Sequence, residues 1–188
     1  LRCTYDMYVP KLEIPIRNGE NTYMQALQCF REYKPDVIIG FSMGGSIAMQ
    51  LPSCLKVIIA PFQGVPYGNS LLKNFAVSLS PLNPIIPKLQ SGRIKSKAGR
   101  KRYKPGQWYF TTRSFLALQN LIERQKYTDI NDPLLWIHSQ NDPVACYERA
   151  KKRWGKDAKH VCLTRAQHVL LFEDESEQII RRTIAFLT

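Results

Sequence analysis

Gly40-Phe41-Ser42-Met43-Gly44-Gly45 sets a serine two residues from a glycine on either side, the G-x-S-x-G spacing. A serine hydroxyl is a poor nucleophile until an adjacent base activates it, and it must be exposed to reach a substrate. This spacing suits a turn that does the exposing. Glycines at Gly40 and Gly44 leave room where a strand passes straight into a helix, and a side chain at either is expected to crowd the neighbouring elements. The turn would lift Ser42 clear of a sheet and aim a helix N-terminus at it, which favours developing negative charge. The Met43 backbone N–H, next after the serine, is then the first oxyanion donor. Phe41, beside the serine, is a candidate substrate contact.

A nucleophilic serine needs a base, and the base needs an acid to orient it; with this type of turn the order along the chain is serine, acid, histidine. There are three histidines. His138 falls inside the apolar run Leu134 to His138 and reads as a core or surface histidine. His160 opens the next such run. His168 follows that run in the loop Arg165-Ala166-Gln167-His168, where a base should hang, and is the expected base. Asp142 follows LLWIHSQ at the end of the preceding run and is the expected acid. Asp132 precedes the same run and reads as a turn residue before Pro133. Glu173 and Asp174 are expected to cap the last helix.

Side chains this far apart in sequence meet only if several strands end at one edge of a sheet. Asp36 to Gly40 (DVIIG) is a short continuous β-branched run, as expected of a strand buried on both faces. Leu55 to Ala60, Leu134 to His138 and His160 to Thr164 repeat that pattern. Ser46 to Leu51, Tyr147 to Trp154 and Glu175 to Leu187 read as helices. Upstream, Leu1 to Val9 reads as a strand, Pro10 to Asn18 as a loop, and Asn21 to Tyr33 as a helix with Met24, Leu27 and Phe30 on one face and Asn21 or Thr22 as its N-cap. Strands alternating with helices predict an α/β fold, a mostly parallel sheet flanked by helices.

Residues 69–112 break that alternation with Pro81, Pro84, Pro87 and Pro105. They read as a cap or lid inserted into a core of residues 1–68 and 113–188. Thr111 to Arg124 is amphipathic, with Phe115, Leu118 and Ile122 on one face, and leads back to the core. The insertion is basic: Lys88, Arg93, Lys95, Lys97, Arg100, Lys101, Arg102 and Lys104 have no acid among them. Tyr103, Trp108, Tyr109 and Phe110 are interleaved or follow. Such a segment can be a solvated loop, a surface that docks on anionic lipid through residues 88–104, or a track for nucleic-acid phosphates and bases. No recognised RNA-binding or zinc-knuckle pattern supports the last. Arg149, Lys151, Lys152, Arg153 and Lys156 form a second basic patch, read as the solvent side of a helix.

The chain has 188 residues, enough for one domain with a real core, and a net charge of +12 that points to an anionic partner. No apolar run reaches the roughly 20 residues of a membrane span. The first residues lack the features of a signal peptide. Five scattered cysteines (Cys3, Cys29, Cys54, Cys146 and Cys162) with no CxxC pair argue against a disulfide framework or a metal site and point to a reducing compartment, the cytoplasm. Cys3, Cys54 and Cys162 lie in or near apolar strand-like runs.

GFSMGG, HSQNDPVA and QHVLLFEDESEQIIRRTIAFL together resemble the α/β-hydrolase superfamily, nearest to small carboxylesterases and monoacylglycerol lipases. YVPKLEIP is similar to the segment after an early strand in such esterases. The resemblance covers about residues 1–65 and 116–188. It implies a Ser42–Asp142–His168 triad that cleaves an acyl ester through an acyl-enzyme, with no metal or organic cofactor. Its small substrate would carry an apolar acyl chain, lined by Leu71, Leu72, Phe75, Leu79, Ile85 and Ile86. A thioester or a C–C bond would suit the same three residues. The family's upstream His-Gly loop, source of a second oxyanion donor, has no counterpart in residues 1–39, and only one strand and one helix precede the serine. With Leu1 in place of a methionine, the expectation is a natural protein that begins earlier. The competing expectation is a hydrolase-like binding protein that uses the basic insertion for anionic lipid or nucleic acid.

Overall fold

A computed structural model of the chain describes residues 6–12, 19–63, 85–87, 94–102, 109–111, 116–117, 122, 133–156 and 158–188. Four runs rich in Val, Ile and Leu form its central sheet: β1 (Val37–Phe41), β2 (Leu55–Ile59), β5 (Leu134–Ser139) and β6 (Lys159–Leu163), in the spatial order β1-β2-β5-β6. All three pairings are parallel. The sheet runs out at one edge, where Phe41 lies opposite Ile59 and Ser139 opposite Leu163.

Continuous apolar runs need cover on both faces. On one face Ile58, Leu134 and Trp136 meet Ala48 and Met49, from α2 (Met43–Ala48) and its C-terminal end, and Tyr147, Ala150 and Trp154 of α4 (Tyr147–Trp154). On the other, Val57, Ile59, Leu135, Ile137 and Leu163 meet Leu170 of the 3₁₀ turn Leu170–Phe172 and Ile179, Phe186 and Leu187 of α5 (Ser176–Leu187). Burying one such aliphatic side chain contributes roughly 1.5–3 kcal/mol. The helix α1 (Gly19–Tyr33) sets Ala26 and Tyr23 against Ile47, Met43 and Leu51. The predicted α/β architecture is the observed one.

Boundaries differ where local contacts decide them. α1 begins at Gly19, so Thr22 is not a cap but a residue inside the helix, buried at 1% exposure. Asp6 to Val9 form no strand; Tyr8 instead stacks on Tyr33, ring centroids 3.7 Å apart. Residues 1–5 and 13–18 lie outside the described residues. α2 starts at Met43 rather than Ser46, because Ser42 alone makes the change from strand to helix. Cys54 lies in the bend before β2, not on a strand, and Cys162 lies on β6; Cys29, Cys54, Cys146 and Cys162 are free thiols.

Within residues 69–112 the structure describes β3 (Ile85–Pro87), paired antiparallel with β4 (Tyr109–Thr111), and the short helix α3 (Lys97–Arg102). Thr111 therefore ends a strand instead of opening a helix. Leu116, Ala117 and Ile122 are helical, and Ile122 is buried with Phe62 and Ala145. α3 lies against the 3₁₀ turn, with Gly99 so close to the Phe172 carbonyl that a Cβ there would collide with it. Leu71, Leu72, Phe75, Leu79, Phe115 and Leu118 lie outside the described residues. Among the described residues no helix is long and apolar enough to cross a membrane.

Candidate active site

Ser42 is one of three non-glycine residues described with a positive φ, at φ 52° and ψ −118°. Backbone held in a sparsely populated region persists only where its surroundings over-determine it. Here the Ser42 N–H donates to the Ile59 carbonyl at 2.9 Å, and the Ser42 carbonyl accepts from the N–H groups of Ser46 and Phe62, each at 3.1 Å. The buried Ser46 hydroxyl donates to the Phe62 carbonyl at 2.6 Å. The chain on both sides of Ser42 is thereby fixed to β2 and the segment after it.

The glycines divide unexpectedly. A Cβ on Gly40 would stand 2.7 Å from Gly45 Cα and 2.8 Å from the Gly44 carbonyl oxygen. A Cβ on Gly45 would stand 3.1 Å from Ile58 Cγ2 and 3.2 Å from the Gly40 carbonyl oxygen. A Cβ on Gly44 would meet nothing described within 4 Å. The tight pair is thus Gly40 and Gly45, where strand and helix touch, and the expectation that Gly44 is sterically required is corrected.

His168 Nε2 lies 2.9 Å from Ser42 Oγ, and His168 Nδ1 lies 2.8 Å from Asp142 Oδ2. The three residues come from the ends of β1, β5 and β6, where the sheet edge brings them together. His168 and Asp142 are each 4% exposed, whereas Ser42 is part-exposed. The Phe41 ring is tilted against the His168 ring with centroids 5.2 Å apart and is itself partly exposed. Met43 opens α2, so its N–H has no intrahelical acceptor. Ile85 and Ile86 lie on β3, opposite Thr111 and Phe110. Leu71 and Phe75 lie outside the described residues. Among the described residues no group of three or more His, Cys, Asp or Glu could hold a metal ion.

Asp142 is the electrostatic centre. Its Oδ1 accepts from the N–H groups of Val144 and Ala145, each at 2.8 Å. Burial alone would push its carboxyl up. Hydrogen bonds from His138 and His168, the attraction of His168 and the Ala145 N–H outweigh that and hold it well below the usual carboxylate range. Asp142 is therefore ionised beside the imidazole, so His168 is oriented through Nδ1 with Nε2 facing the serine.

Four further residues, none of them expected at the site from the sequence, bear on this arrangement. His138 is fully buried, and its Nε2 lies 3.2 Å from the same Asp142 Oδ2 that meets His168. Its spacing of four from Asp142 across a strand end was a signal available in the sequence. Glu173 does not cap the last helix. Its buried carboxylate accepts from Lys95 N at 2.6 Å, Ser96 N at 2.8 Å and Gln167 N at 3.1 Å, tying the segment before α3 to the residue preceding His168. Glu175 holds the other side of that loop, accepting from Ala166 N at 2.6 Å and Arg165 N at 3.1 Å. The Ser139 hydroxyl closes it by donating to the Ala166 carbonyl at 2.6 Å.

The profile of the alpha/beta hydrolase family matches residues 19–182. No curated protein matches the chain. Among solved structures, a monoacylglycerol lipase from Paleococcus ferrophilus superposes with a TM-score of 0.73 at 16% identity, covering 90% of this chain and 74% of that one. A soluble variant of the monoglyceride lipase of Saccharomyces cerevisiae, solved with a substrate analogue, gives 0.69 at 16% identity, covering 92% and 71%. An esterase from Exiguobacterium antarcticum gives 0.57 at 12% identity, covering 90% and 73%. At these identities the likeness is one of fold.

Proposed function

The chain belongs to the alpha/beta hydrolase family, and from that premise we infer that it is a serine hydrolase that cleaves carboxylic esters through an acyl-enzyme. The observation that supports this reading is the hydrogen-bonded series from Ser42 Oγ through His168 to Asp142. Ser42 Oγ attacks the acyl carbonyl while His168 Nε2 takes its proton. The carbonyl oxygen becomes an oxyanion that the Met43 N–H is placed to meet. Collapse expels the alcohol, which leaves with the proton from His168. Water, deprotonated by the same nitrogen, then adds to the acyl carbon, and the ester bond to Ser42 breaks as His168 Nε2 returns that proton to Ser42 Oγ, releasing the acid. Asp142 holds the tautomer and stabilises the imidazolium at both stages. No step calls for a metal or an organic cofactor.

The substrate is a small ester with an apolar acyl chain: a monoglyceride, a lysophospholipid or a simple carboxylic ester. Phe41 stands beside His168, where it would meet the acyl group. Lys95, Lys97, Arg100, Lys101 and Arg102 are exposed around α3, next to the turn that follows His168. That position suits delivery of the ester from an anionic lipid surface.

The test is hydrolysis of p-nitrophenyl esters of short and long acyl chain by the protein and by Ser42→Ala, with a fluorophosphonate label read by mass on Ser42. Activity and label are expected in the first and absent from the second. The acyl-length preference then fixes the substrate class, and thioester and C–C substrates in parallel assign the bond type. A folded protein that neither labels nor hydrolyses any of them overturns the reading.

A further inference from the structure

We propose that His138 is a positioning residue for the base: a neutral imidazole that donates Nε2–H to Asp142 and sets how strongly that carboxylate holds His168. The inference rests on the ester-hydrolase reading for its kinetic consequences and on geometry alone for the bond itself.

An ionised carboxylate has about four lone-pair sites. Asp142 fills them with Val144 and Ala145 N–H on Oδ1, and with His168 Nδ1 and His138 Nε2 on Oδ2. An ionised acid accepts only, so both imidazole nitrogens facing it carry hydrogen. In His138 the remaining nitrogen, Nδ1, is buried with no hydrogen-bond partner among the described residues. A proton on both nitrogens would leave a buried donor without an acceptor, so the geometry assigns the neutral Nε2–H tautomer. The ring is held in that pose by its surroundings. Trp136 meets it edge-on at 5.8 Å and Tyr147 at 5.6 Å. Cys162 lies opposite it on β6, and His160 stacks on Trp136 at 3.9 Å. Lys151 lies beyond, 5.8 Å over the Tyr147 ring.

Two consequences follow. Oδ2 cannot swing away from His168 while a second donor shares it. The same donor draws electron density from Oδ2, so the carboxylate stabilises the His168 imidazolium less than a free one would. His138 thereby keeps the base from becoming too willing to hold its proton.

The experiment compares the protein with His138→Phe, which keeps ring volume and loses the donor, and His138→Gln, whose side-chain amide restores an N–H near the Nε2 position. Thermal melts confirm that each is folded. In ester hydrolysis His138→Phe should lose about tenfold or more in kcat with little change in KM, the size of one hydrogen bond to a charged group. Its acid limb in kcat/KM should move to higher pH, because the unshared carboxylate favours imidazolium. His138→Gln should recover most of the rate and the original limb. Equal losses in both variants, or an unmoved limb in His138→Phe, would overturn the proposal, since lost packing predicts both. A second readout needs no turnover. In the protein labelled with nitrogen-15 histidine, His138 should be protonated at Nε2 and bare at Nδ1, and the His168 Nδ1 signal should move in His138→Phe but not in His138→Gln. The opposite tautomer overturns the proposal even where hydrolysis is seen. The expected spectra without hydrolysis or label would uphold the bond and reject the ester-hydrolase reading instead.

Discussion

The Ser42 N–H donates to the Ile59 carbonyl at 2.9 Å, from the turn after β1 to the last residue of β2. That bond holds a non-glycine residue at φ 52° directly between strand and helix. The turn therefore depends on how closely the strand and the helix can approach, which the neighbouring glycines permit.

Gly40→Ala should cost roughly 1–3 kcal/mol, the usual range for overpacking, because its Cβ meets backbone that cannot move aside. Gly44→Ala should be neutral or stabilising by up to about 1 kcal/mol, since it removes a glycine from a helix with open space around it. Urea denaturation of the two variants checks this. Equal destabilisation would contradict the difference in crowding.

Asp142→Asn should lower kcat by about ten-thousandfold while leaving the fold intact, as an amide favours the wrong tautomer of the base. Measuring hydrolysis with circular dichroism of the same sample tests it. A loss under tenfold would remove Asp142 from the orienting role.

The lowered carboxyl of Asp142 also makes a statement about stability. Its unfolded value is about 3.9. A group depressed by folding contributes stability that is fully present above that value and lost as pH falls below it toward the folded value. Denaturant midpoints should therefore drop below about pH 4 in the protein, and more shallowly in Asp142→Asn.

His160 titrates with the opposite consequence for charge. Burial first, and then the nearby Lys151 ammonium, push its imidazole below the usual value. Its neutral form is favoured by folding, so stability should decline as pH falls through about 6.5, where the unfolded chain gains a proton first. His160→Gln should flatten the denaturation midpoint across that interval.

Glu173→Gln replaces an acceptor of three backbone N–H groups by an amide with one carbonyl oxygen. It should destabilise the protein by roughly 1.5–3 kcal/mol, the range for a hydrogen bond to a charged group. It should also speed limited proteolysis between residues 94 and 102 and lower kcat through the loosened loop before His168. Unchanged proteolysis would show that α3 is held by its apolar contacts alone.

The sheet was legible because its strands are short, largely apolar runs, and each lies within one residue of the span its composition predicts. Ser42, Asp142 and His168 could be picked out because a strand end followed by a polar loop is visible in a linear reading. The N-terminal run was not. Tyr8 and Val9 have strand-like composition, but Tyr8 is taken up by stacking on Tyr33. His138 looked like a core residue because burial and apolar neighbours say so; its second contact depends on Asp142 folding back over the strand end. Glu173 looked like a cap because it precedes a helix, but its donors at Lys95 and Ser96 lie 78 and 77 positions away. Partners at that distance are set by tertiary approach, on which local pattern carries no information.

Ser42 and His168 are 126 positions apart and meet only across a parallel sheet. During synthesis the serine leaves the ribosome long before the histidine is translated. Parallel pairings of this span form slowly, because loop closure must precede the contacts that reward it. A nascent chain stalled between residues 42 and 168 therefore carries the serine and its strand but not the histidine that meets it. Whatever chemistry the completed protein performs is withheld from unfinished copies by the order in which the chain is made.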